Sequence, residues 1–353
     1  FTHNSRTVTF NGTGNQIVSK TGGESFQNLV VNKASGNVLL ATSTNVTVSN
    51  TLALSAGEFV SGSNTLTLNG TITRIAGTLT TDNSSLVFGP NVSALTLPNS
   101  VFTSSPSSLV NLTVNRAGGI TLGNQGITFS GALALTDGLV NTGSFAIIGT
   151  ATSTTTVGTG WVNGNFRKFI PSGSTSRDFE IGSSTVYAPV SLTFAGTINA
   201  STGSITASTT DGDHPQIATS GFNASKTVNR YYTLTNDTAV PGLTSYSPTF
   251  TYVAGDNDVA ATPADYLIRR YSGTWSTSSI SGTPTNTSAT TTGVTGFGDF
   301  AIGENKITPT VVVNLAPSYT YISDPQGPNS LSSPSSPVPT DVTYSYEGTG
   351  ATV

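Results

Sequence analysis

The chain carries the sequence NLVVNK at residues 28–33 and a close copy, NLTVNR, at residues 111–116. Other short matches recur at nearly the same spacing: VTF at 8–10 with LVF at 86–88, and LAL at 52–54 with LAL at 133–135. A recurring spacing of this kind indicates internal repeats. Residues 1–150 are therefore predicted to contain two imperfect copies of a unit of about eighty residues.

Within each copy, apolar and polar residues alternate over only a few positions. Thr65-Leu66-Thr67-Leu68 and Ile127-Thr128-Phe129 are examples, and turns rich in Gly, Asn or Ser separate such runs. A period of two with regular turn signals predicts short β-strands. Because apolar residues do not recur at helical spacing, we expect almost no helix.

Two architectures fit this pattern in residues 1–150. One is a parallel β-helix-like solenoid, with coils of about twenty residues stacked at roughly 4.8 Å. The other is a string of antiparallel β-sandwiches. We favour the solenoid, because the strands are very short and like residues such as Asn, Thr and Val recur at positions that could stack.

The rest of the chain has a different character. A Thr-rich linker covers residues 151–158, and both Trp and most Tyr lie in residues 159–303. Longer alternating runs predict an Ig-like antiparallel β-sandwich over residues 151–303. Residues 304–353 carry few apolar groups and many Pro and Ser, which predicts a partial β domain. The predicted strands of the sandwich are residues 190–194, 230–234, 249–253, 266–271 and 299–302.

The composition excludes several classes of function. Charged residues make up 8% of the chain, the net charge is −4, and basic residues do not cluster. Nucleic-acid binding needs a contiguous basic face, so we expect none. No stretch approaches the roughly 18 apolar residues of a membrane helix, so we expect no membrane insertion. The chain contains no Cys and no Met, which excludes disulfides and thiol chemistry.

Two acidic loops are candidate metal sites. Asp211 and Asp213 precede His214, and Asp256 and Asp258 form a second Asp-x-Asp pair. Calcium requires six to eight oxygen ligands, so both loops would have to meet for Ca²⁺ to bind. The alternative, which we favour, is that the two segments are solvated loops. No other cofactor is expected.

Aromatic residues are candidate sugar-binding groups. Trp161 and Trp275 could stack on glycans, with Tyr231 and Tyr271 as further candidates. The alternative, which we favour, is core packing and cross-strand pairing in the sandwich.

Carboxylates offer only a weak enzyme hypothesis. Asp178 and Glu180 are two positions apart and would lie on one face of a strand, where they could form the paired carboxylates of a glycosidase. The remaining carboxylates are scattered, so we expect no catalytic residues and no enzyme activity.

Three groups of motifs resemble known proteins. Residues 1–17 (FTHNSRTVTFNGTGNQI) and 26–33 (FQNLVVNK) resemble repeats of large Bacteroidetes surface proteins exported by the type 9 secretion system. Residues 228–234 (VNRYYTL) and 296–303 (GFGDFAIG) resemble the module that follows those repeats. The third group, beginning with TPTV at 308–311, resembles the start of an MBG-type repeat.

The resemblance implies a secreted protein of the bacterial cell surface, of the adhesin or gliding-motility type, and it brings no catalytic motif. We therefore expect a non-catalytic structural or adhesive protein, either a rigid stalk or a filament subunit. An open solenoid end would expose unpaired strand edges, which further repeats or a second copy could cover. Surface glycans are a second class of expected partner. The alternative function is polysaccharide binding or degradation by a β-solenoid.

Overall fold

A computed structural model describes residues 6–307 of the chain, which are all-β, with 57% of residues in strands and 3% in helices. The strands of the first half are β1 (Thr7–Phe10), β2 (Gln16–Val18), β3 (Glu24–Leu40), β4 (Val46–Val60), β5 (Thr65–Leu68), β6 (Thr71–Arg74), β7 (Thr78–Thr80), β8 (Ser85–Phe88), β9 (Leu95–Thr96), β10 (Ser107–Leu109), β11 (Asn111–Asn115), β12 (Ile120–Thr121), β13 (Ile127–Phe129), β14 (Ala132–Asp137), β15 (Val140–Gly149), β16 (Thr154–Val157) and β17 (Val162–Phe169). The later strands are β18 (Ser176–Phe179), β19 (Ile181–Gly182), β20 (Val190–Gly196), β21 (Ser204–Asp211), β22 (Phe222–Thr238), β23 (Leu243–Thr251), β24 (Leu267–Tyr271), β25 (Trp275–Ile280), β26 (Ser288–Thr292) and β27 (Gly298–Asn305). Three 3₁₀ turns complete the described chain: η1 (Ile217–Thr219), η2 (Ala254–Asp256) and η3 (Pro263–Asp265).

The first half is a parallel β-solenoid of about eight turns, as predicted. One parallel sheet runs β1-β3-β4-β5-β8-β11-β14-β16, and a second begins β10-β13-β15-β17. Paired residues lie one coil apart: Thr65 pairs with Ser85, and Ser85 with Asn111. The coil of about twenty residues is thus the structural unit, and the repeat of about eighty residues spans several coils.

Alternation in the sequence produces the solenoid core. Outward threonines and inward leucines alternate in β5, and the same pattern recurs in β8 and β11. Parallel register stacks Leu66, Leu86, Leu112 and Leu133 in one inward column, and all four are fully buried. Each such leucine contributes roughly 1.5–3 kcal/mol through burial of its apolar surface.

Side chains help to close the coil corners. Four-residue turns recur there, with backbone hydrogen bonds from Thr44 to Ala41 and from Ser84 to Thr81. The Asn64 Oδ1 atom accepts a hydrogen bond of 2.8 Å from the Thr44 N–H of the preceding coil. Asn111 Oδ1 accepts one of 2.9 Å from the Ala132 N–H of the following coil. The asparagines thus satisfy backbone groups at places where the parallel ladder is interrupted.

The second sheet becomes antiparallel at β17, continuing through β21, β22, β27, β24, β25, β26, β23 and β20 to β18. Aromatic side chains from β22, β23 and β27 pack together. The ring centres of Tyr232 and Phe250 lie 4.7 Å apart, and those of Phe250 and Phe300 lie 5.2 Å apart. The five predicted sandwich strands overlap β20, β22, β23, β24 and β27. The Ig-like arrangement is not confirmed and stays a prediction.

Parallel pairing continues past residue 150, because β15 pairs with β17 and β17 with β19. The described residues as far as Asn305 form one compact unit with a continuous apolar core. The predicted domain boundaries stay predictions. Nearly all of the predicted partial domain at residues 304–353 lies outside the described residues.

Candidate functional site

The solenoid end at β1 and β2 is open within the described chain. Both strands hydrogen-bond to β3, and their other edges have no strand partner among residues 6–307. Ile17 is 64% exposed there. A shallow cavity of about 280 Å³ opens beside it, lined by Val8, Phe10, Ile17, Val18, Glu24 and Phe26. An apolar surface beside free backbone donors and acceptors can accept another β-strand.

The opposite end of the solenoid is closed by a polar plug, which we define as Lys168, Glu180 and Thr155. Thr155 continues the inward column after Leu133, so the apolar stack ends in a hydroxyl. Lys168 Nζ lies 2.5 Å from Glu180 Oε2 and 3.0 Å from Thr155 Oγ1, and it also lies 4.3 Å from the centre of the Phe166 ring. The lysine is almost fully buried, so its charge depends on these neighbours.

The polar plug makes stability depend on pH. Burial lowers the pKa of Lys168 to about 8, against 10.5 for an exposed lysine, despite the opposing effect of Glu180. Between these values the unfolded chain binds a proton that the folded chain has lost, so stability rises with pH. Burial raises the pKa of Tyr187 from 10.0 to about 12, so above pH 10 only the unfolded chain loses that proton and stability falls.

We therefore expect the urea midpoint of unfolding to rise between pH 8 and about 10 and then to fall. Lys168→Met should remove the rise but keep the fall. A wild-type midpoint that does not rise over this range would contradict a buried, titrating Lys168.

The four aspartates predicted as metal ligands come together around β22. Arg230 is fully buried and bridges two of them, with Nη2 2.6 Å from Asp211 Oδ1 and Nε 3.0 Å from Asp256 Oδ2. The other two meet at Thr227: its hydroxyl donates to Asp213 over 2.7 Å, and its N–H donates to Asp258 over 2.8 Å.

Carboxylate oxygens that would have to coordinate Ca²⁺ already accept hydrogen bonds from Arg230 and Thr227. Burial raises the pKa of Asp213, and the charge of Asp258 adds to the effect. Within residues 6–307, no group of three or more His, Cys, Asp or Glu side chains has the arrangement of a metal site. Calcium binding at Asp211, Asp213, Asp256 and Asp258 stays a prediction.

The aromatic candidates separate into two places. Trp275, Tyr271 and Tyr231 surround His214, with ring centres 4.9, 4.9 and 5.0 Å from the imidazole. Trp161 lies elsewhere, 5.8 Å from Tyr187. Both indole N–H groups donate to backbone carbonyls, Trp275 to Gln216 and Trp161 to Ser183. Sugar binding at Trp161 and Trp275 stays a prediction.

His214 is only 4% exposed, so the expectation of a solvated loop was wrong for this residue. Its Nε2 lies 3.1 Å from Asp299 Oδ2, and its Nδ1 accepts a hydrogen bond from the Gln216 N–H. The histidine is a packed component of the aromatic cluster, with both ring nitrogens engaged.

Asp178 and Glu180 make separate contacts. Strand β18 ends at Phe179, so Glu180 lies beyond it and pairs with Lys168. Asp178 is exposed and accepts a hydrogen bond from the Ser191 hydroxyl. These contacts assign each carboxylate a structural partner.

Sequence reasoning missed the structural role of two basic residues, Lys33 and Arg116. They end the two matching hexapeptides, and both are buried, at 2% and 1% exposure. Lys33 Nζ donates to the carbonyl of Gly12 and to the Gln16 side chain, while Arg116 donates to the carbonyls of Ser93 and Asn69. The available signal was a basic residue at the same position in both hexapeptides. A basic side chain that recurs beside apolar strands needs a hydrogen-bonding partner in each copy.

Comparison with known proteins found no matching family model, no matching curated protein and no matching solved structure. The fold itself defines the chain as a β-solenoid protein. No helix in residues 6–307 is long and apolar enough to cross a membrane.

Proposed function

We propose that the protein is a non-catalytic structural or adhesive component of the bacterial cell surface, a rigid stalk or filament subunit that makes strand-edge contacts. The observation that carries the proposal is the solenoid end at β1 and β2, whose outer strand edges have no partner among residues 6–307 and lie beside the exposed Ile17. A stack of coils is stiff because every coil is bonded to its neighbours. The resemblance to repetitive surface proteins supports an extracellular location.

The difference between the two solenoid ends bears on the kind of assembly. The β1–β2 end presents apolar side chains, whereas the other end is closed by the polar plug and by antiparallel β21 on β17. Head-to-tail growth needs two matching ends. Among residues 6–307 the contrast supports a stalk joined through its β1–β2 end, and a filament subunit would need a matching contact surface outside them.

Self-association measured by sedimentation velocity tests whether the β1–β2 end is a contact surface between copies. We expect the wild type to self-associate in sedimentation velocity as concentration rises, because burying the β1–β2 end removes apolar surface from water. Ile17→Asp should sediment as a monomer, since it places a charge on that surface. Ile75→Asp is the matched control: Ile75 is also highly exposed, at 80%, but lies in the segment between β6 and β7, and this variant should behave like the wild type.

Equal sedimentation of all three proteins would contradict a strand-edge contact between copies at this end. Electron microscopy of the same samples distinguishes the two assemblies. Short paired rods would support the stalk, and long filaments with a repeat close to one chain length would support the filament subunit.

Polysaccharide binding or degradation is the alternative function. The partly exposed pair of Trp161 and Tyr187 is the observation that favours it, because stacked rings can bind sugars. A glycan array with wild type and Trp161→Ala tests it, with Ile75→Asp as the control. Glycan binding that Trp161→Ala abolishes would support this alternative.

A further inference from the structure

We infer that one corner of the solenoid binds a linear, uncharged polysaccharide that lies along the solenoid axis. This corner groove consists of residues 90–92 and 115–117 with Asp137, Thr159 and Trp161. The inference rests on the proposed adhesive role, for which it names the class of ligand. It joins the aromatic pair of Trp161 and Tyr187 to a cavity several coils away.

The corner groove begins where the regular coil is interrupted. Ser85 and its partner Asn111 are 26 positions apart, whereas Thr65 and Ser85 are only 20 apart. The longer coil leaves one ladder incomplete, because within residues 6–307 β6 pairs only with β4 and β9 only with β12. The segment between β8 and β9 is largely exposed, and a cavity of about 320 Å³ opens beside it.

Arg116 holds the wall of this cavity in place. Its Nε donates to the Ser93 carbonyl over 2.7 Å, and its Nη1 donates to the Asn69 carbonyl over 3.0 Å. Asn91 Nδ2 donates to the same Asn69 carbonyl over 2.8 Å, and Asn91 Oδ1 accepts a hydrogen bond from the Ser93 N–H. The cavity is therefore preformed, so a ligand would not have to order the loop in order to bind.

Polar side chains line the corner groove on successive coils. Asn115 and Asp137 are register partners, and Thr159 of the following coil donates to Asp137 Oδ1 over 2.9 Å. Asn115 is only half-buried, and its amide makes no hydrogen bond within residues 6–307. An amide, a carboxylate and a hydroxyl thus follow one another at intervals of roughly 4.8 Å. Together they offer the donors and acceptors that sugar hydroxyl groups need.

Apolar side chains beside this ladder suit the C–H faces of sugar rings. Val92 lines the cavity and is 86% exposed. Trp161, two positions after Thr159, lies 5.8 Å from the Tyr187 ring, and its indole N–H is fixed on the Ser183 carbonyl. From the cavity to this aromatic pair the groove spans three coil spacings, roughly 14 Å, which is long enough for a few sugar residues.

Charge in the groove determines which polysaccharides fit. Among the residues that line the cavity, Asp137 alone is charged. The nearby guanidinium of Arg116 is 1% exposed and faces backbone carbonyls. An acidic polysaccharide would meet a carboxylate with no exposed cation beside it, whereas a neutral chain can donate its hydroxyl groups to that carboxylate.

Calorimetric titration of the full chain with linear oligosaccharides of increasing length tests the inference. The probes are neutral oligomers of glucose, mannose and N-acetylglucosamine, with oligogalacturonate as the acidic series. We expect at least one neutral series to bind, with affinity that rises with length until the groove is filled, and oligogalacturonate not to bind. Failure of every neutral series, or tighter binding of oligogalacturonate, would overturn the inference.

Variants of the corner groove test where the sugar binds. Val92→Asp should weaken binding about ten-fold or more, because a ligand would have to desolvate the new charge. Asn115→Ala should weaken it roughly three- to ten-fold, the effect of losing one or two neutral hydrogen bonds. Ile75→Asp is the matched control, since Ile75 is 80% exposed and lies outside the groove. Wild-type affinity in Val92→Asp and Asn115→Ala would contradict this site.

Asp137→Asn tests the selection by charge. Asparagine keeps the shape and can still accept from Thr159, so neutral oligosaccharides should bind as before while oligogalacturonate becomes a ligand. Continued exclusion of oligogalacturonate would contradict the role of the carboxylate. Ile17→Asp should bind oligosaccharide like the wild type, because Ile17 lies outside the corner groove. Loss of association between copies and loss of sugar binding are therefore measured separately, and either hypothesis can fail without the other.

Discussion

Gly138→Ala is expected to destabilise the protein by about 2–5 kcal/mol, while Gly143→Ala should cost about 1–2 kcal/mol. Both glycines have positive φ angles, +76° and +58°, which an L-residue adopts only with strain. They differ in their surroundings. A Cβ at Gly138 would collide with the backbone carbonyl of Arg116, whereas a Cβ at Gly143 would meet nothing within 4 Å.

The collision at Gly138 is costly because the obstacle cannot rotate away. The Arg116 backbone belongs to the preceding coil and is held by a hydrogen bond from its N–H to the Asp137 carbonyl. Urea titration followed by tryptophan fluorescence measures the effect, since Trp161 lies in the coil that follows Gly138. Equal midpoints for the two variants would contradict the close packing of coils at this corner.

The second large effect is expected at Arg230. Arg230→Met should destabilise the protein by about 3–5 kcal/mol, because it leaves carboxylates without the cation that compensates their burial. The loss of the cation destabilises Asp256 most, because its side chain is only 12% exposed and its Oδ2 accepts a hydrogen bond from Arg230 Nε–H at 3.0 Å. Thermal unfolding monitored by circular dichroism provides the measurement.

Two controls make the Arg230 experiment specific. Asp211→Asn should cost less than about 1 kcal/mol, because Asp211 is 48% exposed and water screens its contact with Arg230. The double variant Arg230→Met/Asp256→Asn should recover part of the loss, since the unpaired charge is then removed as well. A double variant no more stable than Arg230→Met would show that lost packing, not charge, causes the effect.

Much of the fold could be predicted from local patterns. The alternation in Thr65–Leu68 predicted a strand with leucines inside and threonines outside, and the structure confirms both faces. The solenoid was also predictable, because parallel stacking requires like residues at intervals of one coil. The hexapeptides at 28–33 and 111–116 occupy corresponding positions in different coils, at the ends of which Lys33 and Arg116 turn inward.

The candidate sites were less predictable, because their residues meet across long stretches of chain. Asp211 and Asp256 looked like two acidic loops, and nothing near them in sequence indicated that Arg230 would lie between them. His214 looked like part of an exposed turn, yet Tyr271 and Trp275 from a distant hairpin enclose it. Local sequence reports which residues alternate, but the partner of a polar group depends on which strands become neighbours.

The amino-acid sequence by itself determined the β class, the short strands and the coil repeat, because alternation and turn residues act within a few positions. Only the tertiary structure decided that, within residues 6–307, the strand edges at β1 and β2 have no partner beside an apolar surface, while Lys168 and Glu180 close the other end of the solenoid. The reason is physical: a strand edge is free or covered according to hydrogen bonds with residues far away in the chain. A local pattern does not encode those bonds.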